Sequence, residues 1–218
     1  MTSTRLLMLG VAGLLAGCGP APSTGRLLPL SAGASWTYKI TDSKGVFSDK
    51  KTTVEALEDV GGAKAGTRAF RVRTEDTGGA TISWQEDTGT AVVRHREQEF
   101  DSANKQLTDT FFTPSKLRLD ESAAHLTDRA TFTTTHTERV TDLSTMITSS
   151  VDKTETWTVE SLDEAVTVPA GTFHCVRLHR VGAAMGSSDK LYWFARGVGK
   201  VKETGGARSE ELQAYSIP

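Results

Sequence analysis

The side chains best equipped for chemistry are few. His174 and Cys175 stand together in VTVPAGTFHCVRLHRV, and His179 follows five residues after His174. A thiol beside an imidazole could make a nucleophile and base, and paired histidines could ligate zinc. Strand geometry opposes both, because neighbours and residues five apart point to opposite faces. No turn or helix start surrounds Cys175 to activate its thiol, so it reads as a small buried core residue. His136 and Glu138 share a strand face with Phe132, Thr134 and Val140, but a third ligand is not evident, and no metal is expected. The segment GVGK has the glycines and lysine of a phosphate cradle at the wrong spacing, and no Gly-x-Ser-x-Gly or calcium loop occurs. The chain reads as non-catalytic and cofactor-free, with a hydrolase built on converging carboxylates as the least favoured alternative.

The elements that would carry these residues read as strands. Threonine, a β-branched strand former, occurs 31 times in 218 residues. In SWTYKI, a period of two puts Trp36, Tyr38 and Ile40 on one face. Further strands follow in TRAFRVRTED, ATISWQED, TAVVRHREQ, RATFTTTHTERV and ETWTVESL. Gly78–Gly79 and Asp87–Gly89 supply tight turns between consecutive strands, the signature of an antiparallel meander. Pro114 marks an interruption or an edge, and LDESAAHLTD has the composition of a short helix beginning near Asp120. The expected fold is mainly β: one domain with a strongly curved antiparallel sheet, a half-barrel or open barrel, and at most one or two short helices. Hydrophobic residues make up 37% and charged residues 24%, with a net charge of −2. That balance suits a globular domain, and the absence of a clustered basic face argues against nucleic acid.

The amino terminus is different in kind. One positive charge, Arg5, precedes the apolar run LLMLGVAGLL, which is too short for a span of roughly 20 residues but fits a secretory signal. The run ends in Leu15, Ala16, Gly17 and Cys18, which resembles the lipobox of bacterial lipoproteins. The resemblance implies cleavage between Gly17 and Cys18 and acylation, including palmitate-type chains, at Cys18. Residues 1–17 are then a signal peptide, 18–34 a lipidated tether rich in Gly, Pro, Ala and Ser, and 35–218 the β domain. Extended, such a tether reaches about 55 Å, although its later part, LLPL, is a candidate for docking on the domain. Gly19 rather than aspartate after the cysteine points, by analogy with lipoprotein sorting, to the outer membrane facing the periplasm rather than the inner membrane. With Cys18 acylated, Cys175 has no partner for an intrachain disulfide.

LPLSAGASWTY, VPAGTF and the aromatic strand KLYWFARGVGKVK together resemble a set of uncharacterised bacterial envelope proteins. That resemblance implies a curved sheet similar to the periplasmic lipoprotein carriers and no assigned reaction. The expected function is a membrane-anchored binding module for an envelope protein or component. The alternative is a carrier for an apolar ligand such as a lipid, lined by Trp36, Tyr38, Phe70, Trp84, Trp157 and Trp193. A packed core is the competing role for those aromatics.

Overall fold

The structure is a computed structural model that describes residues 25–184 and 189–218. Twelve antiparallel strands follow one another: β1 (Ser35–Asp42), β2 (Phe47–Asp59), β3 (Arg68–Asp76), β4 (Gly79–Asp87), β5 (Ala91–Asp101), β6 (Gln106–Asp120), β7 (Thr131–Asp142), β8 (Ile147–Val168), β9 (Gly171–Gly182), β10 (Asp189–Ala195), β11 (Gly199–Gly205) and β12 (Arg208–Ser216). Each pairs with its neighbours in sequence, and β1 pairs with β12 from Ser35 opposite Ser216 to Asp42 opposite Arg208. The curved sheet expected from sequence therefore goes further than a half-barrel: it closes, and no strand edge is left free among the described residues.

The alternation within strands explains both surfaces of the wall. Trp36, Tyr38 and Ile40 are buried, and Tyr38 stands opposite Lys50, so both point into the barrel. On the same rows Thr52 faces Thr74, their hydroxyl oxygens 3.1 Å apart. Outward positions carry water-facing pairs, such as Arg71 with Glu55 and Arg73 with Glu75. A barrel that faces lipid instead presents an outward apolar band. Much of the threonine surplus forms cross-strand pairs, Thr131 with Thr158 and Thr141 with Thr148 among them.

Pro114 falls where the ladder is already broken. Pairing of β6 with β5 lapses between Phe111 and Lys116, and pairing with β7 stops at Thr113, so the missing N–H costs no ladder bond. The Thr113–Pro114 peptide is cis. The helix expected near Asp120 is absent, which corrects that reading. Residues 121–130 form turns in which the Asp120 carboxylate accepts from the Ser122 N–H (2.8 Å) and contacts His125 Nδ1 (2.7 Å). An acidic cap is thus present, but Leu126 turns in to pack on the neighbouring apolar cluster and Arg129 adopts φ 60°, which a helix does not accommodate. One short 3₁₀ turn, Gly62–Lys64, lies elsewhere, between β2 and β3.

One end of the barrel is plugged by the chain that precedes β1. Arg26 grips Asp87 with two bonds (3.0 and 2.8 Å) and donates to the Gly89 carbonyl (2.7 Å). The Leu27 N–H donates to the Glu121 carboxylate (3.1 Å), the Gly197 N–H to the Arg26 carbonyl (2.8 Å), and the Gly33 N–H to the Val54 carbonyl (2.9 Å). The Leu27 side chain is 0% exposed, packed with Leu119, Trp157, Val159 and Phe194. The docking anticipated for LLPL, Leu27 to Leu30, thus extends back to Arg26, and the stretch from Gly25 to Ala34 lies on the barrel as a strap. The long β8–β9 hairpin folds over at the same end, where the Ala170 N–H reaches the Leu212 carbonyl (3.0 Å). The carboxy terminus ends there too: a Cβ on Gly33 would stand 3.4 Å from the ring of Pro218.

Gly199 is placed by contact. Its φ is 108°, and a Cβ there would come within 2.8 Å of the Trp36 indole nitrogen, which donates to the Val198 carbonyl.

Candidate functional site

A closed barrel of eight strands has an interior that side chains can fill, whereas twelve leave more room. Here a cavity of about 500 Å³, lined by Lys116, Glu138, Glu155 and Arg180, lies beside one of about 250 Å³ that starts at the strap end of the lumen. Leu28 and Leu30 of the strap form its floor, Trp36 and Tyr38 one wall, and Trp157, Tyr192 and Phe194 another. The three rings of the second wall stack in sequence, with centroids 6.0 Å apart at each step. Arg208, whose side chain is 45% exposed, lines the cavity at the other rim, so the lumen reaches solvent away from the strap.

The lining is strongly charged. Seven Lys and Arg side chains and three Glu side chains face the cavity, an excess of four positive charges inside a protein whose net charge is −2. On one side they form a connected chain. Lys50 and Lys200 both contact Glu210 Oε2, Arg208 contacts Glu210 Oε1 (2.8 Å), and Glu203 bridges Lys200 to Lys190. Burial alone would raise the Glu210 pKa, but Lys200, assisted by Lys50, holds it down at about 2. Glu203 is likewise held below the usual carboxylate range despite its burial, by Lys200 and then Lys190. Burial would lower Lys200, yet these two carboxylates keep it above the ordinary lysine value. Lys50 goes the other way: burial, and then repulsion from Lys200, outweigh its contact with Glu210 and bring it down to about 8. Burial also raises the Tyr38 phenol, whose hydroxyl donates to the Lys200 carbonyl (3.1 Å).

The opposite side is less balanced. Arg94, Arg118 and Arg180 all line the cavity. Burial, and then repulsion from Arg118 and Arg180, bring the Arg94 guanidinium well below the usual arginine range. Arg94 contacts Glu97, and Arg180 lies 3.4 Å from Glu155 and over the Trp157 and Tyr192 rings at 5.6 and 5.5 Å. Arg118 has no ion pair among the described residues. The buried Nε atoms of Arg94 and Arg118 and the buried Nε1 of Trp157 have no hydrogen-bond partner among the described residues.

Of the six aromatics expected to line a ligand site, Trp36, Tyr38 and Trp157 line this cavity. Phe70 stands opposite Gln85, a lining residue, but packs into the core beside the strap. Trp84 and Trp193 do not line it, because each adjoins a lining residue, Gln85 or Phe194, and alternation sends it to the other face. Trp84 is covered on the outer wall by Val60, Ala69 and Ile82, and its indole donates to Glu58 (2.9 Å). Trp193 donates to Glu164 (2.9 Å) beside the folded hairpin. Gly17 and Cys18 lie outside the described residues.

The charged lining was missed in the sequence, although for Lys190 a signal exists: it shares parity with Tyr192 and Phe194. Cys175 is fully buried, and burial with Glu164 and Asp163 nearby pushes its thiol up to about 12. The histidines are dispersed: His136 meets Glu138 (3.2 Å), His174 meets Asp163 (2.7 Å) and His179 meets Asp189 (2.6 Å). Among the described residues, no three His, Cys, Asp or Glu side chains form a group able to hold a metal ion.

No protein-family model and no curated protein matches the chain. Two solved structures are similar at a TM-score of 0.41. One is a candidate exported protein with a YmcC-like fold from Bacteroides fragilis, 11% identical, covering 87% of this chain and 98% of its own. The other is a candidate lipoprotein from Parabacteroides distasonis, 12% identical, covering 89% of this chain and 100% of its own. The fold described above rests on the strand pairing of this chain alone.

Proposed function

We propose that this protein is a lipid-anchored, non-catalytic lipoprotein of the cell envelope whose barrel takes a small envelope component into its lumen. The observation that supports this most is the cavity itself: a closed, twelve-stranded wall, floored by the strap, encloses space that the side chains do not fill. The anchor is read from the lipobox-like Leu15–Cys18, and the strap begins seven residues after Cys18. That stretch reaches about 25 Å at most when extended, so the strap end of the barrel faces the membrane and the open rim faces away. The outer membrane, facing the periplasm, is the favoured location by the Gly19 analogy.

A binding role fits the chemistry of the lining. Its carboxylates are held ionised in contact with lysines, and the buried Cys175 thiol stays protonated at neutral pH. Neither is poised as a base or a nucleophile. A purely apolar cargo suits the lumen less well than a mixed one, since seven cationic side chains share it with the aromatic walls.

The test is native mass spectrometry of the full chain extracted from its host membrane. A small-molecule adduct that persists through mild activation and is lost when Trp36→Ala or Tyr192→Ala alters the wall is expected. A folded protein that carries no adduct from any extraction would overturn the reading.

A further inference from the structure

We propose that the lumen holds a phosphate or carboxylate group, carried on a compact apolar body, with Arg94, Arg118 and the Trp157 indole N–H as its donors. This rests on the lumen being a binding chamber, as proposed above, and specifies what it binds.

Three buried donor atoms on one cavity lack an acceptor: Nε of Arg94, Nε of Arg118 and Nε1 of Trp157. Buried donors are nearly always satisfied, and each one left over calls for an explanation. Here the shortfall is one-sided, since all three can donate and none can accept. A bound group must therefore supply acceptor oxygens. Charge points the same way. Arg118 has no ion pair among the described residues, and the guanidinium of Arg94 is repelled by Arg118 and Arg180. Among the described residues, the one carboxylate paired with Arg94 is Glu97. A guanidinium offers a planar fork of N–H groups that matches phosphate and carboxylate oxygens, which a metal cation or a neutral lipid cannot use.

The surroundings describe the rest of the ligand. Trp157 is 2% exposed and continues into the stacked rings of Tyr192 and Phe194, while Leu28 and Leu30 form the floor. A cavity of about 250 Å³ is slightly below the usual range for drug-sized ligands, about 300–1,000 Å³. It suits a single ring or short chain bearing the anion, and not a diacyl lipid entire. Entry is from the rim where Arg208 and Lys190 stand, both cationic, so an anion would be drawn in along the lumen.

The experiment is calorimetric titration of the full chain in phosphatidylcholine nanodiscs, against empty discs, with phenyl phosphate, inorganic phosphate and phenol. Phenyl phosphate is expected to bind at least about tenfold more tightly than either of the others, with an affinity that falls as salt is raised. Arg118→Gln removes a side chain with no ion pair to lose, so the barrel should stay folded while phenyl phosphate binding weakens about tenfold or more. Trp157→Phe keeps the ring, removes the N–H and should weaken it less. Arg71→Gln, on the outer wall, should leave it unchanged.

Equal binding of phenol and phenyl phosphate would overturn the anion site while leaving the lumen-binding reading intact. Equal binding of inorganic and phenyl phosphate would overturn the apolar body. Absence of phenyl phosphate binding by the folded protein would overturn the inference outright, and the adduct measurement separately decides the broader reading.

Discussion

At the scale of single residues, the lumen couples stability to pH. Glu210 and Glu203 are ionised in the folded protein at pH values where the unfolded chain would protonate them, and Glu138 is held at about 2 by His136 and Lys116. Carboxylates lowered in this way contribute stability that is fully present above about pH 4.5 and is lost as pH falls toward 2, at about 1.4 kcal/mol per pKa unit for a buried group. The urea midpoint should therefore drop steeply between pH 5 and pH 3. Lys50 adds a smaller effect of the same sign at the alkaline end: with its pKa lowered to about 8, stability should gain as pH rises from 8 toward 10. Glu210→Gln leaves Lys50, Lys200 and Arg208 facing one another without their shared carboxylate and should cost about 3–5 kcal/mol, read by chemical unfolding. None of this was legible in the sequence. A lysine or glutamate in an alternating strand reads as the solvent side, and only the register shows that Lys50 and Glu210 occupy rows shared with Tyr38 and Ile40.

At the scale of elements, the strands and their turns were legible and their surroundings were not. SWTYKI gave its inward face by alternation, and the glycine turns gave the meander, because both signals are local. The helix proposed after Leu119 failed for a reason that is not local, the need of Leu126 to reach a core formed partly by the distant Leu27 and Trp157. Trp84 and Trp193 misled for a related reason: this barrel buries aromatics on both faces, under loops as well as in the lumen. The strap makes a further prediction. Leu27→Ala should cost about 2–5 kcal/mol, as for other fully buried leucines, and should open the cavity floor to solvent. Gly199→Ala must meet the Trp36 indole in a positive-φ backbone, and a loss of about 1–3 kcal/mol in thermal or chemical unfolding is expected.

At the scale of the molecule, closure is what no local pattern announces. It depends on β1 meeting β12 across almost the whole chain, and a curved sheet that stopped short would have the same strand signals. Closure also limits how a protein partner could engage, since strand addition needs an exposed edge. The anchor remains the part read from sequence alone. Cys18→Ala should abolish incorporation of labelled palmitate and leave the precursor uncut, whereas persistent labelling would remove Cys18 as the attachment point.

The approach of Pro218 to Gly33 of the strap has a practical side. If the barrel is anchored through Cys18 as proposed, a fluorescent protein fused after Pro218 would emerge beside the strap, between barrel and bilayer, and would report on a crowded, displaced molecule. The exposed turn at Gly206 and Ala207 joins β11 to β12 at the far rim. Under the proposed anchoring, an epitope inserted there would stand clear of the lipid surface, where an antibody could count molecules without lifting them from it.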